Sequence, residues 1–209
     1  MRIGIIGGGM IGSAMARLWV DAGHHVCIAS RHPERLRALT EDLGPRASAG
    51  IPAEAAAFGE VVMLTVPLMA TAQLARDLAR FLQDTIVMDT SNASEERDGA
   101  AAREAASHPG GSSAWAAAML PKARWVKAFN TVYYETLASE AHRSGPRVGI
   151  PLASDHPQAL QVVAHLARDA GFDPVIVGPL ARGREFEPGT PIYNTGMSGE
   201  DVRRALGVA

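Results

Sequence analysis

Arg2-Ile3-Gly4-Ile5-Ile6-Gly7-Gly8-Gly9-Met10-Ile11-Gly12 is the stretch that decides the fold of this 209-residue chain. Its first five residues read as a buried strand, and the Gly7-x-Gly9-x-x-Gly12 spacing that follows opens an alanine-rich helix. Each glycine has a mechanical reason in a dinucleotide-binding turn. Gly7 permits the tight turn after the strand, Gly9 lets the backbone approach a pyrophosphate, and Gly12 lets the helix pack closely on the sheet. Met10 and Ile11 begin the helix, whose unpaired first-turn N–H groups and positive dipole end suit phosphate. The spacing alone also fits an ordinary glycine-rich strand-to-helix turn. Its context narrows the reading: a helix from about Met10 to Ala22 stops at Gly23, and His25–Ala29 follows as a second apolar strand.

The end of that second strand selects the cofactor. An NAD site places an Asp or Glu there to hold the ribose 2′-hydroxyl, about 20 residues past the motif. This chain has Ser30-Arg31 instead, and the nearest upstream carboxylate, Asp21, falls in the last turn of the first helix. A hydroxyl beside a guanidinium suits a 2′-phosphate, because arginine offers a planar fork of donors and keeps its charge at any working pH. The site is read as NADP-selective. His32 and Arg35 add positive potential or else form a solvated first turn of the next helix.

A net charge of −2 gives no electrostatic reason to expect nucleic acid or an anionic membrane as partner. No apolar run approaches the roughly 20 residues of a membrane span, and the first strand begins without a signal peptide, so a cytoplasmic location is expected. Cys27, the one cysteine, sits in a strand pattern and reads as a small packed hydrophobe. No histidine pair has ligand spacing, and no metal is expected.

Strand and helix signals then alternate, the mark of a parallel sheet covered on both faces. Helices are expected at Pro33–Leu43, Pro52–Phe58 and Ala70–Leu82, and strands near Arg46–Ala49, over the apolar run Glu60–Val66 and at Thr85–Asp89. The fold class is α/β, a Rossmann-type doubly wound parallel sheet with a small C-terminal α/β subdomain. The division falls at 1–123, the NADP-binding domain, and 124–209, the subdomain with its tail. Ser107–Ser113 is rich in turn formers and reads as a mobile linker before a helix near Ala114–Leu120 and a strand at Arg124–Ala128. Strand, helix and strand recur at Arg147–Leu152, Pro157–Ala170 and Phe172–Val177. Right-handed crossovers bring the loops at Gly7, Ser30, Val66-Pro67-Leu68 and Asp89-Thr90-Ser91-Asn92 to one edge, where the cofactor should lie.

Several blocks resemble the NADPH-dependent reductases built like the deazaflavin (coenzyme F-420) dependent NADP oxidoreductases. They are Gly7–Gly12, Ala22-Gly23-His24 leading to Ser30-Arg31, Val66-Pro67, Lys127-Ala128-Phe129-Asn130-Thr131, and Gly171-Phe172-Asp173-Pro174 with Gly178-Pro179-Leu180. The resemblance implies NADP along the first domain and a deazaflavin, flavin or small organic hydride acceptor in a cleft closed by the C-terminal part, with hydride passing directly between rings. Such chemistry needs positioned rings and no obligatory acid–base pair. Val66, Pro67 and Leu68 are read as an apolar wall, Asn92 as an amide contact or a helix cap, and Asn130 with Thr131 as polar contacts to the reacting rings. Lys127 is read as the partner of a surface carboxylate.

The sequence departs from that pattern where Ala153-Ser154-Asp155 replaces a Gly-Asp-Asp turn, and at Arg184–Asn194, an extended Pro- and Gly-punctuated stretch in place of an apolar helix. Tyr193, Asn194, Trp115, Tyr133 and Tyr134 are candidates for an acceptor pocket or for packing. A homodimer with the tail reaching across its partner is expected from composition. Two other readings stand beside the reductase: a non-catalytic NADPH-binding redox sensor, and an imine or 3-hydroxyacid dehydrogenase, for which the chain after Ala170 has no room for a helical dimerisation domain.

Overall fold

The computed structural model describes residues 1–209. In chain order the elements are β1 (Arg2–Ile6), α1 (Met10–Asp21), β2 (His25–Ala29), α2 (Arg37–Leu43), β3 (Ala47–Gly50), α3 (Pro52–Phe58), β4 (Val61–Leu64), α4 (Thr71–Leu82) and β5 (Ile86–Asp89). They continue with α5 (Glu95–Asp98), α6 (Ala100–Ser107), α7 (Gly111–Met119), β6 (Arg124–Lys127), α8 (Tyr134–Glu140), β7 (Gly149–Ala153), α9 (Pro157–Asp169), β8 (Asp173–Gly178) and α10 (Gly199–Leu206).

The strands form one eight-stranded sheet in the order β3-β2-β1-β4-β5-β6-β7-β8. Every neighbouring pair is parallel except β6 and β7, which run antiparallel and share the single register pair Lys127↔Ala153. The first six strands have the doubly wound order 3-2-1-4-5-6, which makes the fold Rossmann-like. β4 and β5 are buried at every position, as expected of strands covered on both faces and therefore apolar without alternation. α4 shows the other period: its buried residues Thr71, Ala75, Leu78 and Leu82 lie on one stripe, and its charged residues Arg76, Asp77 and Arg80 fall outside it.

Two cores sandwich the sheet. On one face α1, α8 and α9 cover β1, β6 and β7, centred on Trp19, Phe129 and Phe172. Phe129 stands edge-on to Trp19 (centroids 6.3 Å apart) and to Phe172 (5.9 Å), pairs worth about 0.5–1.5 kcal/mol each beyond burial. The Trp19 indole N–H donates to the Leu166 carbonyl at 3.0 Å, which fixes α1 to α9. On the other face α3 lies on β1 and β2 and α7 on β6, with α4 between them, around a core that includes Leu64, Leu78 and Trp125. A third cluster of Val175, Phe186, Ile192 and Val202 seats the C-terminal segment on β7 and β8.

Three expectations need correction. The segment Ser107–Ser113 is not a linker: α6 runs through Ser107, α7 starts at Gly111, and Ser112 and Ser113 are both buried. The tail is not extended: Leu180–Phe186 forms 3-10 turns, tight turns follow, and α10 closes the chain with Ser198 as a hydrogen-bonded N-cap. It folds back on the sheet of its own chain. The Pro33–Leu43 helix begins as a 3-10 turn over Pro33–Leu36 and becomes α-helical only from Arg37. No helix is long and apolar enough to cross a membrane.

Candidate nucleotide and acceptor site

Every parallel strand from β1 to β6 ends on the same sheet edge, and the loops that follow build the site. The turn after β1 is set by backbone. Gly7 adopts φ 122°, a conformation that disfavours side chains, while its N–H reaches the Ala29 carbonyl at 2.9 Å and its own carbonyl accepts the Thr65 hydroxyl at 2.7 Å. A Cβ at Gly12 would lie 2.0 Å from the Gly7 carbonyl oxygen, so this glycine is demanded by helix–strand contact. Gly9 is different: its φ of −81° suits any residue, and a Cβ there would meet nothing within 4 Å. Nothing inside the chain calls for glycine at this position. α1 has no side-chain cap and no acidic residue in its first turn, so the N–H groups around Met10 and Ile11 remain free for an anion. The open face at Gly9 and the uncapped helix end fit a pyrophosphate.

Beside this turn, β2 is followed by Ser30, whose hydroxyl oxygen accepts the His32 N–H at 2.9 Å. His32 Nδ1 lies 3.4 Å from Glu34. Arg31 and Arg35 are exposed and enter no ion pair, which leaves two guanidinium groups free next to Ser30. Leu36 packs against Gly8, within 2.5 Å of where a Cβ would stand, and so holds the arginine-bearing turn against the glycine turn. Asp21 is exposed at the far end of α1, away from this edge.

Val66 is half-buried and Pro67 exposed on the loop after β4, while Leu68 is fully buried and serves the core. That loop is tied to the next one by Asp98, whose carboxylate accepts the Met69 N–H at 3.2 Å and the Ser94 N–H at 3.0 Å and pairs with Arg97 at 2.8 Å. Burial pushes the Asp98 pKa up, but the Arg97 hydrogen bond and the two backbone donors outweigh it and hold the carboxyl below its ordinary value. Arg97 in turn donates to the Asn92 carbonyl at 2.7 Å. The residue at the N-cap of α5 is Ser94, so Asn92 is not the cap.

The Asn92 side chain is committed to Asn130. Its amide nitrogen donates to the Asn130 carbonyl at 2.9 Å and, more weakly, to the Tyr193 hydroxyl at 3.4 Å. Asn130 returns a bond from its own amide nitrogen to the Asn92 side-chain oxygen at 3.0 Å, and a second to the Phe186 carbonyl at 2.9 Å. Phe129, buried at φ 58°, makes the sharp turn after β6 that places Asn130 there; a bulky residue in this region costs on the order of 1–3 kcal/mol and persists only where packing enforces it. The Thr131 carbonyl accepts the Asn194 N–H at 2.9 Å. Three buried side-chain atoms, Ser91 Oγ, Asn130 Oδ1 and Thr131 Oγ1, have no partner in the chain. Such atoms cluster where a fold serves something other than stability.

Lys127 overturns its expected role on the surface. It is fully buried, with Nζ 3.2 Å from Glu187, 3.0 Å from the hydroxyls of Ser112 and Ser113, and 3.1 Å from the Ser91 carbonyl. Ser113 donates onward to Asp89, which also takes the Ser91 N–H, and Ser112 donates to Glu187 through both hydroxyl and N–H. Burial raises the Glu187 pKa, yet the charge of Lys127 and the Ser112 bonds dominate and lower it. The sequence reading missed Glu187, Ser112 and Ser113. One signal was present: a lysine between Val126 and Ala128 in a central strand must find a buried counter-charge. Trp115, offered for an acceptor pocket, packs instead on the α4–β5 core, whereas Tyr133 is exposed at the start of α8.

Fold and edge together define a dinucleotide-binding protein of the Rossmann class. Residues 2–93 match the family model described as NADP oxidoreductase, coenzyme F420-dependent. A solved structure of a Sinorhizobium meliloti protein described only as hypothetical is 31% identical, with a TM-score of 0.79 over 95% of both chains. The family match thus covers residues 2–93, less than half of the chain, and the Sinorhizobium meliloti structure extends the likeness in fold over nearly all of it. A proposed F420-dependent NADP reductase from Arthrobacter sp. FB24 shares the fold at 21% identity, with a TM-score of 0.75 over 100% of this chain and 96% of its own. The metalloreductase STEAP3 of Rattus norvegicus is 30% identical over 189 residues, covering 89% of this chain and 36% of that protein. This chain thus spans less than half the length of the curated relatives it matches.

Proposed function

We propose that the protein binds NADPH across the ends of β1 and β2 and transfers its hydride to a flat heteroaromatic acceptor of the deazaflavin or flavin class. The observation that carries the nucleotide half is Gly9, a glycine the fold itself does not need, set at an uncapped helix N-terminus. α1 receives the pyrophosphate through its first-turn N–H groups. Ser30 and the unpaired Arg31 and Arg35 select the 2′-phosphate.

NADPH, when bound, supplies the hydride. The chain's own residues have the task of orientation: Val66 and Pro67 form an apolar wall, and Asn92, Asn130 and Thr131 offer polar groups beside it. Support for a flat acceptor comes from the rim. Of the six exposed large apolar side chains, four (Met10, Ile51, Met69 and Tyr133) follow β1, β3, β4 and β6 and so stand on this one edge. Apolar side chains concentrated on one edge mark a binding surface rather than a solvent face. Ile51 follows Gly50, whose carbonyl takes the Ser30 N–H at 3.2 Å, and is placed for the adenine; Met10, Met69 and Tyr133 remain for the second ring.

The test is NADPH oxidation followed by absorbance against a panel of deazaflavin, flavin, quinone and carbonyl acceptors. Turnover is expected with the planar heteroaromatic members. Tight NADPH binding with no turnover on any of them would make the protein a nucleotide-sensing module, and absence of NADPH binding would remove the reading altogether.

A further inference from the structure

We infer that Glu187 is a positioning residue: gripped by Lys127, it clamps the segment Phe186–Asn194 as a strap across the ends of β5 and β6 and so presets the Asn92–Asn130 amide pair. The strap meets the site at four places. Phe186 gives its carbonyl to the Asn130 amide at 2.9 Å, and Glu187 takes Lys127 Nζ at 3.2 Å. The Tyr193 hydroxyl receives Asn92 at 3.4 Å, and the Asn194 N–H reaches the Thr131 carbonyl at 2.9 Å. Between these points the strap has little structure of its own: Pro188, Gly189 and Pro191 interrupt it, and its internal backbone bonds are the 3.2 Å turns Thr190→Glu187 and Tyr193→Thr190. Its course is therefore set by its attachments, with Phe186 and Ile192 as buried apolar pegs.

The position of Lys127 is what makes the clamp specific. One ammonium holds the carbonyl of Ser91, the residue before Asn92, and the carboxylate of Glu187, the residue after Phe186. It is one residue removed from Asn92 on one side and, on the other, from Phe186, whose carbonyl holds Asn130. Ser91 Oγ, Asn130 Oδ1 and Thr131 Oγ1, on the residues these attachments hold, are buried and unpartnered. Loss of the Glu187 charge leaves Lys127 buried without its nearest counter-ion, and the strap without its one ionic attachment. Resting on the reading that the nicotinamide end of the nucleotide reaches these strand ends, the clamp orders that end and has no effect on the phosphates.

Glu187→Gln separates the two. Affinities for NADPH and for 2′-phospho-ADP-ribose, which lacks the nicotinamide, are measured together with backbone hydrogen exchange over residues 188–194 in the nucleotide-free protein. The expected result is an approximately tenfold loss of NADPH affinity, an unchanged affinity for the fragment, and exchange at 188–194 faster by about tenfold or more. Equal losses for NADPH and the fragment, or exchange that does not change, would overturn the clamp. Should Glu187→Gln not fold, Ser112→Ala removes a donor to Glu187 without stranding a charge and is read in the same way. The exchange measurement needs no nucleotide, so a wild-type protein that fails to bind NADPH defeats the proposed function while leaving the clamp to stand or fall on its own result.

Discussion

The glycine turn and the strap stand at the same sheet edge and are built on opposite plans. At the turn, the first-turn N–H groups of α1 have no side-chain cap competing for them, and Gly9 faces open space. At the strap, groups from the loop after β5, from α7 and from the C-terminal segment converge on the one buried ammonium that β6 supplies. A surface that must accept phosphates works with free donors and little reorganisation. A surface that must hold a ring in register works through mutual restraint, at the cost of burying charge. Substitutions at the first should therefore change binding and spare stability, and those at the second should do the reverse or both.

The largest expected effect is at the buried charge. Lys127→Ala strands Glu187 and should lower stability by about 3–5 kcal/mol, the range seen when one partner of a buried pair is removed. In a thermal melt this reads as a fall of roughly 10 °C for a chain of this size. A fall within a degree or two would mean that the network is far wetter than its geometry. Next is Gly9→Ala, with the opposite signature. Binding of NADPH and NADH should both weaken by at least about hundredfold, or about 2.7 kcal/mol, because the methyl occupies the pyrophosphate's approach. The melting temperature should hold, since no atom of the chain lies within 4 Å of that methyl. Retained affinity in a titration would reduce the turn to architecture. Smallest is Arg31→Ala, which should cost NADPH binding about 1.5–3 kcal/mol while NADH is nearly unaffected, as for loss of one charge-assisted hydrogen bond. Equal losses for the two nucleotides would assign Arg31 to the fold.

These two plans also explain what a reader of the sequence can reach. The turn, the Ser30-Arg31 pair and β1 to β5 depend on periodicity and neighbours within a few residues, so they are legible. Asn92 and Asn130 were nameable as polar groups at strand ends, but their reciprocal bonds join residues 38 apart and had no local trace. Ser112 and Ser113 look like loop residues because their partners, Asp89, Lys127 and Glu187, lie up to 75 residues away. Polar side chains buried by distant charges carry turn-like propensities and give no periodic signal. α8 and α10 were missed for a different reason: they are short, and α10 is charged over most of its surface, with Gly199 and Val202 alone buried.

The single antiparallel register pair between β6 and β7 has a mechanical meaning. A sheet transmits load along its hydrogen-bonded ladder, and here the ladder narrows to one pair between two parallel half-sheets. Cohesion across that seam passes to side chains: the edge-on rings of Trp19, Phe129 and Phe172 on one face, the Trp19–Leu166 and His24–Asp169 bonds (3.0 and 2.9 Å) beside them, and the Lys127–Glu187 pair on the other. Side-chain contacts of this kind can be loosened a few at a time, while a continuous ladder yields as a unit. The seam between the half-sheets thus rests on side chains more than on backbone bonds, and Asn130 lies three residues past its one register pair in the chain.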